Sequence, residues 1–127
     1  MLVLTSKKYE IEETIRGENE DGELLYEFQM QITPAELVEI KKIIFKDSID
    51  LANCEDKTIF EKSQELQEKF EQVCFKEHKE IFKEKCGEYL YVDMVEKIYD
   101  FFMNAFIEKA MKRTNTINTS LQRVGNN

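Results

Sequence analysis

The stretch that decides the fold is residues 9–32, YEIEETIRGENEDGELLYEFQMQI, where two alternating segments flank an acidic turn at 17–22. Side chains on a β-strand point alternately to its two faces. In the second segment one face is apolar throughout, and it carries Leu24, Tyr26, Phe28, Met30 and Ile32. This alternation predicts a β-hairpin with one apolar side, over about residues 5–32.

The first segment of the hairpin is less regular. Tyr9, Ile11 and Ile15 share a face, but Glu13 interrupts it. A β-bulge or an edge position at Glu13 would explain the interruption. A two-stranded hairpin is barely stable alone in water, so its apolar side must pack on the helices that follow or on another chain. The sequence therefore predicts an α+β fold that is built for contact.

Composition predicts one acidic domain. The chain has 127 residues, of which 35% are charged, and its formal net charge is −8. Nucleic acid is not expected as the main partner, because binding a phosphate backbone requires clustered Lys and Arg. A membrane span is not expected either, because no apolar run approaches the roughly 18 residues that it needs.

Three cysteines, Cys54, Cys74 and Cys86, form an odd number without the spacing of a disulfide framework. The start of the chain lacks an apolar targeting core. Free thiols in a reducing, cytoplasmic setting are therefore expected.

Two helix starts follow the hairpin. Thr33-Pro34-Ala35-Glu36 is a capping box with proline at the first helical position, and it predicts a helix over about 34–46. Residues 47–57 are polar and suggest an irregular connector.

Thr58-Ile59-Phe60-Glu61 repeats the capping-box pattern and predicts a helix over about 58–86 that ends at Gly87. At roughly 40 Å this helix is long for a domain of this size, so it either breaks near His78 or projects. Its expected buried stripe is Ile59, Leu66, Phe70, Val73, Cys74, Ile81 and Phe82.

The last predicted helix, about 92–112, is apolar over more of its circumference than the others. Its flank carries Tyr99, Met103 and Ile107, which we take as the candidate partner-binding residues. The alternative is that these side chains complete the core or a homo-oligomer interface. Residues 114–127 are mostly polar and predict a flexible tail, which leaves residues 1–113 as a single α+β domain of one hairpin and about three helices.

No pattern of reactive residues predicts catalysis. His78 is the only histidine, which argues against a His-based triad. Four side chains are of types that ligate metals, and these are Cys54, Cys74, His78 and Cys86. Structural zinc sites, however, usually place their ligands in closely spaced pairs, which these cysteines do not form. We therefore expect no catalytic residue, no cofactor and no metal.

The order of the predicted strands and helices along the chain resembles that of a known protein family. An acidic hairpin leads through a Thr-Pro helix start into a Lys/Glu-rich helix, then through KEKCGE (83–88) into the aromatic helix DMVEKIYDFF (93–102). Over about 9–112 this order is similar to that of small acidic tail-assembly chaperones of phages and prophages of Gram-positive bacteria. The resemblance implies a non-enzymatic protein that coats the helical tape-measure protein until tail tube subunits polymerise around it.

We therefore expect a tail-assembly protein that acts through protein–protein contacts in the bacterial cytoplasm. The apolar strip of the last helix would accept an amphipathic helix. An intermolecular strand added at the hairpin edge is an expected route to homo-oligomers. The alternatives left open are a structural head–tail or tail component, a cytoplasmic adaptor or regulator and, most distantly, a small metal-dependent enzyme.

Overall fold

The computed structural model describes residues 1–55 and 57–125, with side chains as far as residue 114. Packing divides the chain into two compact units, Met1–Val95 and Glu96–Asn127. The fold is α+β: an N-terminal antiparallel hairpin packs on helices, as the sequence predicts. The expected single domain over 1–113 and the expected flexible tail over 114–127 stay predictions, because the last two residues and the side chains from 115 lie outside the described part of the chain.

The hairpin consists of β1 (Ile11–Glu18) and β2 (Leu24–Ile32). Its register pairs Ile15 with Phe28 and Ile11 with Ile32, so the apolar positions of both strands share one face. Glu13 lies on that face opposite Met30 but is exposed. The register shift of the hairpin falls between Gly17 and Glu18, so the predicted β-bulge at Glu13 is wrong. The edge position of β1 is the explanation that remains for a charged residue on the apolar face.

In the described part of the chain five α-helices follow the hairpin, and the first begins at the predicted cap. They are α1 (Pro34–Lys42), α2 (Ser48–Ala52), α3 (Ile59–Phe75), α4 (His78–Cys86) and α5 (Glu88–Gly125). The capping box is complete, since the Thr33 side chain accepts from the Glu36 N–H and the Glu36 carboxylate accepts from the Thr33 N–H. At Thr58 no side-chain cap bond forms, so the second predicted capping box is wrong.

The predicted connector at 47–57 is wrong over its first half. A π-helical segment, Ile43–Asp47, joins α1 to α2, and the Ser48 hydroxyl donates to the Ile43 carbonyl at 2.7 Å. A π turn widens the helix by one residue and rotates the positions that follow it. Polar residues that resemble a loop in sequence therefore continue the helix to Ala52.

The long helix predicted over about 58–86 is broken into α3 and α4. Of the two alternatives given for it, a break near His78 or a projecting helix, the structure has the break. Lys76 at the break adopts φ +52°, a region that favours glycine. Its ammonium donates to the Gln31 carbonyl at 2.5 Å and lies 3.1 Å from a Glu36 carboxylate oxygen. These contacts tie the strained turn to the end of β2 and the start of α1, which stabilises a conformation that costs on the order of 1–3 kcal/mol.

The capping carboxylate is held in its charged form. Burial raises the pKa of Glu36, but hydrogen bonds from Thr33 and Lys76, together with the positive charge of Lys76, outweigh burial and leave that pKa below its ordinary value. This one carboxylate therefore caps α1 and anchors the α3–α4 turn.

Gly87 separates α4 from α5. It adopts φ +88° and closes α4 at the predicted stop. The next helix begins at Glu88, four residues before the predicted start, and its backbone continues past the predicted end near 112 to Gly125.

The core of the first unit is aromatic. β2 packs against α3 and α4, and Phe28 approaches Phe75 with ring centroids 5.5 Å apart. Phe75 also contacts Phe82 at 5.7 Å and Tyr91 at 4.9 Å. Phe75 and Phe82 are fully buried, so these rings join the hairpin, α3, α4 and the start of α5.

Gly17 allows α4 to cross close to β1. A Cβ atom added there would collide with Cys86 Sγ and would lie 3.4 Å from two carbons of the Phe82 ring. We expect Gly17→Ala to lower the free energy of unfolding by about 1–3 kcal/mol, measured by urea denaturation, because overpacking forces side chains and backbone to shift.

Replacing Cys86 with glycine removes the colliding sulfur and is expected to recover part of the loss when combined with Gly17→Ala. Equal losses in the Gly17→Ala protein with and without the Cys86 change would show that the clash is not the cause. Gly22→Ala distinguishes overpacking from backbone strain, because Gly22 has no atom within 4 Å of the added carbon but adopts φ +80°, where a side chain is strained.

Candidate protein-binding surface

The three candidate partner-binding residues lie on α5 within the second unit. Tyr99, Met103 and Ile107 are four residues apart, so the helix places them on one side, which we call the α5 strip. Tyr99 and Met103 are half-buried, and Ile107 is 45% exposed. Exposure of the strip therefore increases towards the C-terminus.

Further apolar groups of the second unit are exposed beyond the strip. Phe101 is partly exposed and Met111 is 60% exposed, whereas Ile98 and Phe102 are buried. Glu96 and Asp100 are exposed near the start of the strip, and Lys109 and Arg113 are exposed past its end. The part of α5 in this unit thus combines an apolar surface with exposed charges of both signs.

A polar cluster that sequence reasoning missed is buried in the first unit. Glu71 is only 6% exposed, the Tyr91 hydroxyl donates to its carboxylate, and Lys79 Nζ lies 3.6 Å from the same oxygen. Burial, followed by the hydrogen bond to Glu71, raises the pKa of Tyr91 and keeps the phenol protonated as a donor. The sequence does contain a signal for the burial of Glu71. This residue precedes the apolar Cys74 and Phe75 by three and four residues, which places it on the buried face of α3.

The side chain of His78 is half-buried against the hairpin. Its ring stacks on Phe28 with centroids 4.5 Å apart, and Nδ1 lies 2.6 Å from the Tyr26 hydroxyl oxygen. Nε2 faces the exposed Glu77 carboxylate at 3.5 Å. These contacts give the only histidine a packing role between α4 and β2.

The four ligands weighed for a metal are not gathered into one site. Cys74 is buried in the aromatic core, where burial raises the pKa of its thiol, and Cys86 lies against Gly17. Cys54 lies near α2, and His78 contacts Tyr26. Among the described residues, no group of three or more His, Cys, Asp or Glu side chains is arranged to hold a metal ion.

An open groove runs along α3 in the first unit. It consists of two adjoining concavities of about 530 and 460 Å³ that share Glu65 and Lys69 in their lining. Among the described lining residues, the opposite wall from α1 to the end of α2 contributes acidic charges alone, and these are Glu39, Asp47 and Asp50. The half-buried apolar residues of the groove are Leu51, Cys54, Leu66 and Val73. We call this feature the α3 groove.

No protein-family model, curated protein or solved structure matches this chain. Within the described part of the chain, no helix combines the length and the apolar character that crossing a bilayer requires.

Proposed function

We propose that this protein is a non-enzymatic tail-assembly protein of a phage or prophage, chaperone-like in action, that works in the cytoplasm of the host bacterium. Its partner is a tail protein with an amphipathic helix, such as the tape-measure protein, and contact is made through the α5 strip. The observation that carries the proposal is the exposed apolar surface of α5, with Ile107 and Met111 open to solvent on a chain with a net charge of −8.

Two physical properties of a holding protein support this role. A high net charge keeps the free protein soluble and opposes its self-precipitation. Methionine and aliphatic side chains on a helix adapt to varied apolar partners, and Met103 and Met111 provide such groups on α5. An amphipathic helix is the partner that matches such a strip, because its own apolar positions recur at the same three- and four-residue spacing.

The test uses the full chain and overlapping peptides of about 30 residues from the long helical protein encoded beside its gene. At least one peptide is expected to bind, as measured by isothermal titration calorimetry. Replacing a central apolar contact with a charge costs on the order of 2 kcal/mol, so Ile107→Asp should weaken binding by about 30-fold.

Val38→Asp is the matched control, because Val38 is 70% exposed and belongs to α1 of the first unit, not to the strip. The proposal is wrong if no peptide binds, or if Val38→Asp weakens binding as much as Ile107→Asp. Finding the protein in finished particles would identify a structural tail component instead of a chaperone.

A further inference from the structure

The charge of this acidic chain is unevenly distributed along the sequence. All 26 acidic residues precede position 109. Residues 109–127 carry Lys109, Lys112, Arg113 and Arg123 and no acidic residue. The C-terminal part of α5 is therefore a basic helix on an otherwise strongly acidic protein.

The described start of this basic segment is accessible. Lys109, Lys112 and Arg113 are exposed, and Met111 between them is 60% exposed. A helix that presents both positive charge and an apolar side chain fits an acidic concave surface with apolar residues in it.

The α3 groove has that character. Its α1–α2 wall is acidic, with Glu39 and Asp50 exposed, whereas the α3 and α4 side carries Lys62, Lys69 and Lys79 as well as Glu65 and Glu68. Leu66 and Val73 are half-buried and offer apolar contact. Its α3 side extends from Lys62 to Val73, roughly 17 Å at 1.5 Å per residue. The backbone of α5 from 109 to Gly125 is about 25 Å long by the same rise, which is enough to fill the groove.

We propose that the α3 groove of one copy of this protein binds the basic C-terminal end of α5 from a second copy. Lys109 and Arg113 share one side of the incoming helix and lie against the acidic wall that includes Glu39 and Asp50. Met111 is on the opposite side of that helix and contacts Leu66 and Val73 of α3. The two surfaces are different parts of the chain, so the contact is head-to-tail, and repetition of it builds a ring or an open filament. This inference shares Met111 with the proposed function, but its charged contacts lie outside the α5 strip, so variants of those charges test it separately.

Two variants separate the two halves of the contact. Glu39→Lys/Asp50→Lys reverses the acidic wall but leaves the basic helix intact. Lys109→Gln/Arg113→Gln neutralises the helix but leaves the groove intact. The wild-type chain is expected to self-associate in sedimentation velocity experiments, more strongly at 50 mM than at 500 mM salt, and each variant alone should associate at least tenfold more weakly.

The decisive sample is an equimolar mixture of the two variants. The groove variant still supplies a basic helix, and the helix variant still supplies an acidic groove, so one contact forms and the mixture should yield a 1:1 complex that does not grow further. Because each variant must provide a working half, recovery in the mixture also shows that both proteins are folded.

Glu12→Lys/Glu20→Lys is the control, since it changes the net charge by the same amount as the groove variant but at exposed hairpin positions. This control should associate like the wild type. The proposal is overturned if the wild-type chain is monomeric at every concentration and salt tested, if the mixture stays monomeric, or if the control weakens association as much as the groove variant.

Discussion

Replacing Phe75 with alanine is expected to lower the free energy of unfolding by about 3–5 kcal/mol, because a buried phenyl ring is lost and the space that it leaves collapses only partly. Phe75 is fully buried and contacts the rings of Phe28, Phe82 and Tyr91, which come from β2, α4 and α5. No single neighbour can fill the space, since each of these rings is fixed by its own element. Domains of this size are stable by only about 5–15 kcal/mol, so the variant should be largely unfolded by mild urea.

Phe60→Ala is the matched control, because Phe60 has the same side chain and lies in the same helix but is 69% exposed. This change should alter the free energy of unfolding by less than about 0.5 kcal/mol. Urea denaturation followed by circular dichroism measures both values. A loss below about 1 kcal/mol for Phe75→Ala would contradict the central position of this ring in the core.

The hairpin was predictable because the alternation of apolar and polar residues along its strands is a local property of the sequence. The apolar face from Tyr26 to Ile32 packs on the helices, and the capping box at Thr33 forms as expected. Gly87 ends its helix for an equally local reason, since its positive φ suits a residue without a side chain. Each of these features depends on a few consecutive residues.

Phe75 itself was not among the expected buried residues, and the reason is tertiary. Treating 58–86 as one helix placed Ile59 and Ile81 on the buried stripe, but both are partly exposed. The break at Lys76 changes which face of each half meets the hairpin, so the buried face of α3 carries Phe70, Cys74 and Phe75. The break is held by contacts of Lys76 with Gln31 and Glu36, residues more than 35 positions away, and no local pattern shows those contacts.

The candidate surface was predictable only in part. Spacing along α5 places Tyr99, Met103 and Ile107 on one side, but the increase in their exposure towards the C-terminus depends on packing. The α3 groove was not predictable, because the π-helical segment Ile43–Asp47 directs the chain into α2 and so places Asp47 and Asp50 across from α3. The sequence of that segment resembles an ordinary helix end followed by a loop.

Glu71 and Tyr91 are expected to show strong energetic coupling, because both side chains are buried and each supplies the hydrogen-bond partner of the other. Removing the carboxylate by Glu71→Ala leaves the buried Tyr91 hydroxyl without its acceptor and Lys79 without its ion pair. Breaking a buried charged pair in this way costs about 3–5 kcal/mol. Tyr91→Phe removes only the donor and leaves the buried carboxylate with Lys79, which should cost about 1–3 kcal/mol.

A double-mutant cycle with Glu71→Met and Tyr91→Phe separates this coupling from simple loss of packing, because both replacements keep most of the side-chain volume. The double variant removes the polar pair together and leaves no orphaned hydroxyl or carboxylate. Its loss of unfolding free energy should therefore be smaller than the sum of the two single losses, by about 0.5–3 kcal/mol. Additive losses would mean that Glu71 and Tyr91 act independently, and the buried cluster would then contribute to stability only through the volume that its side chains fill.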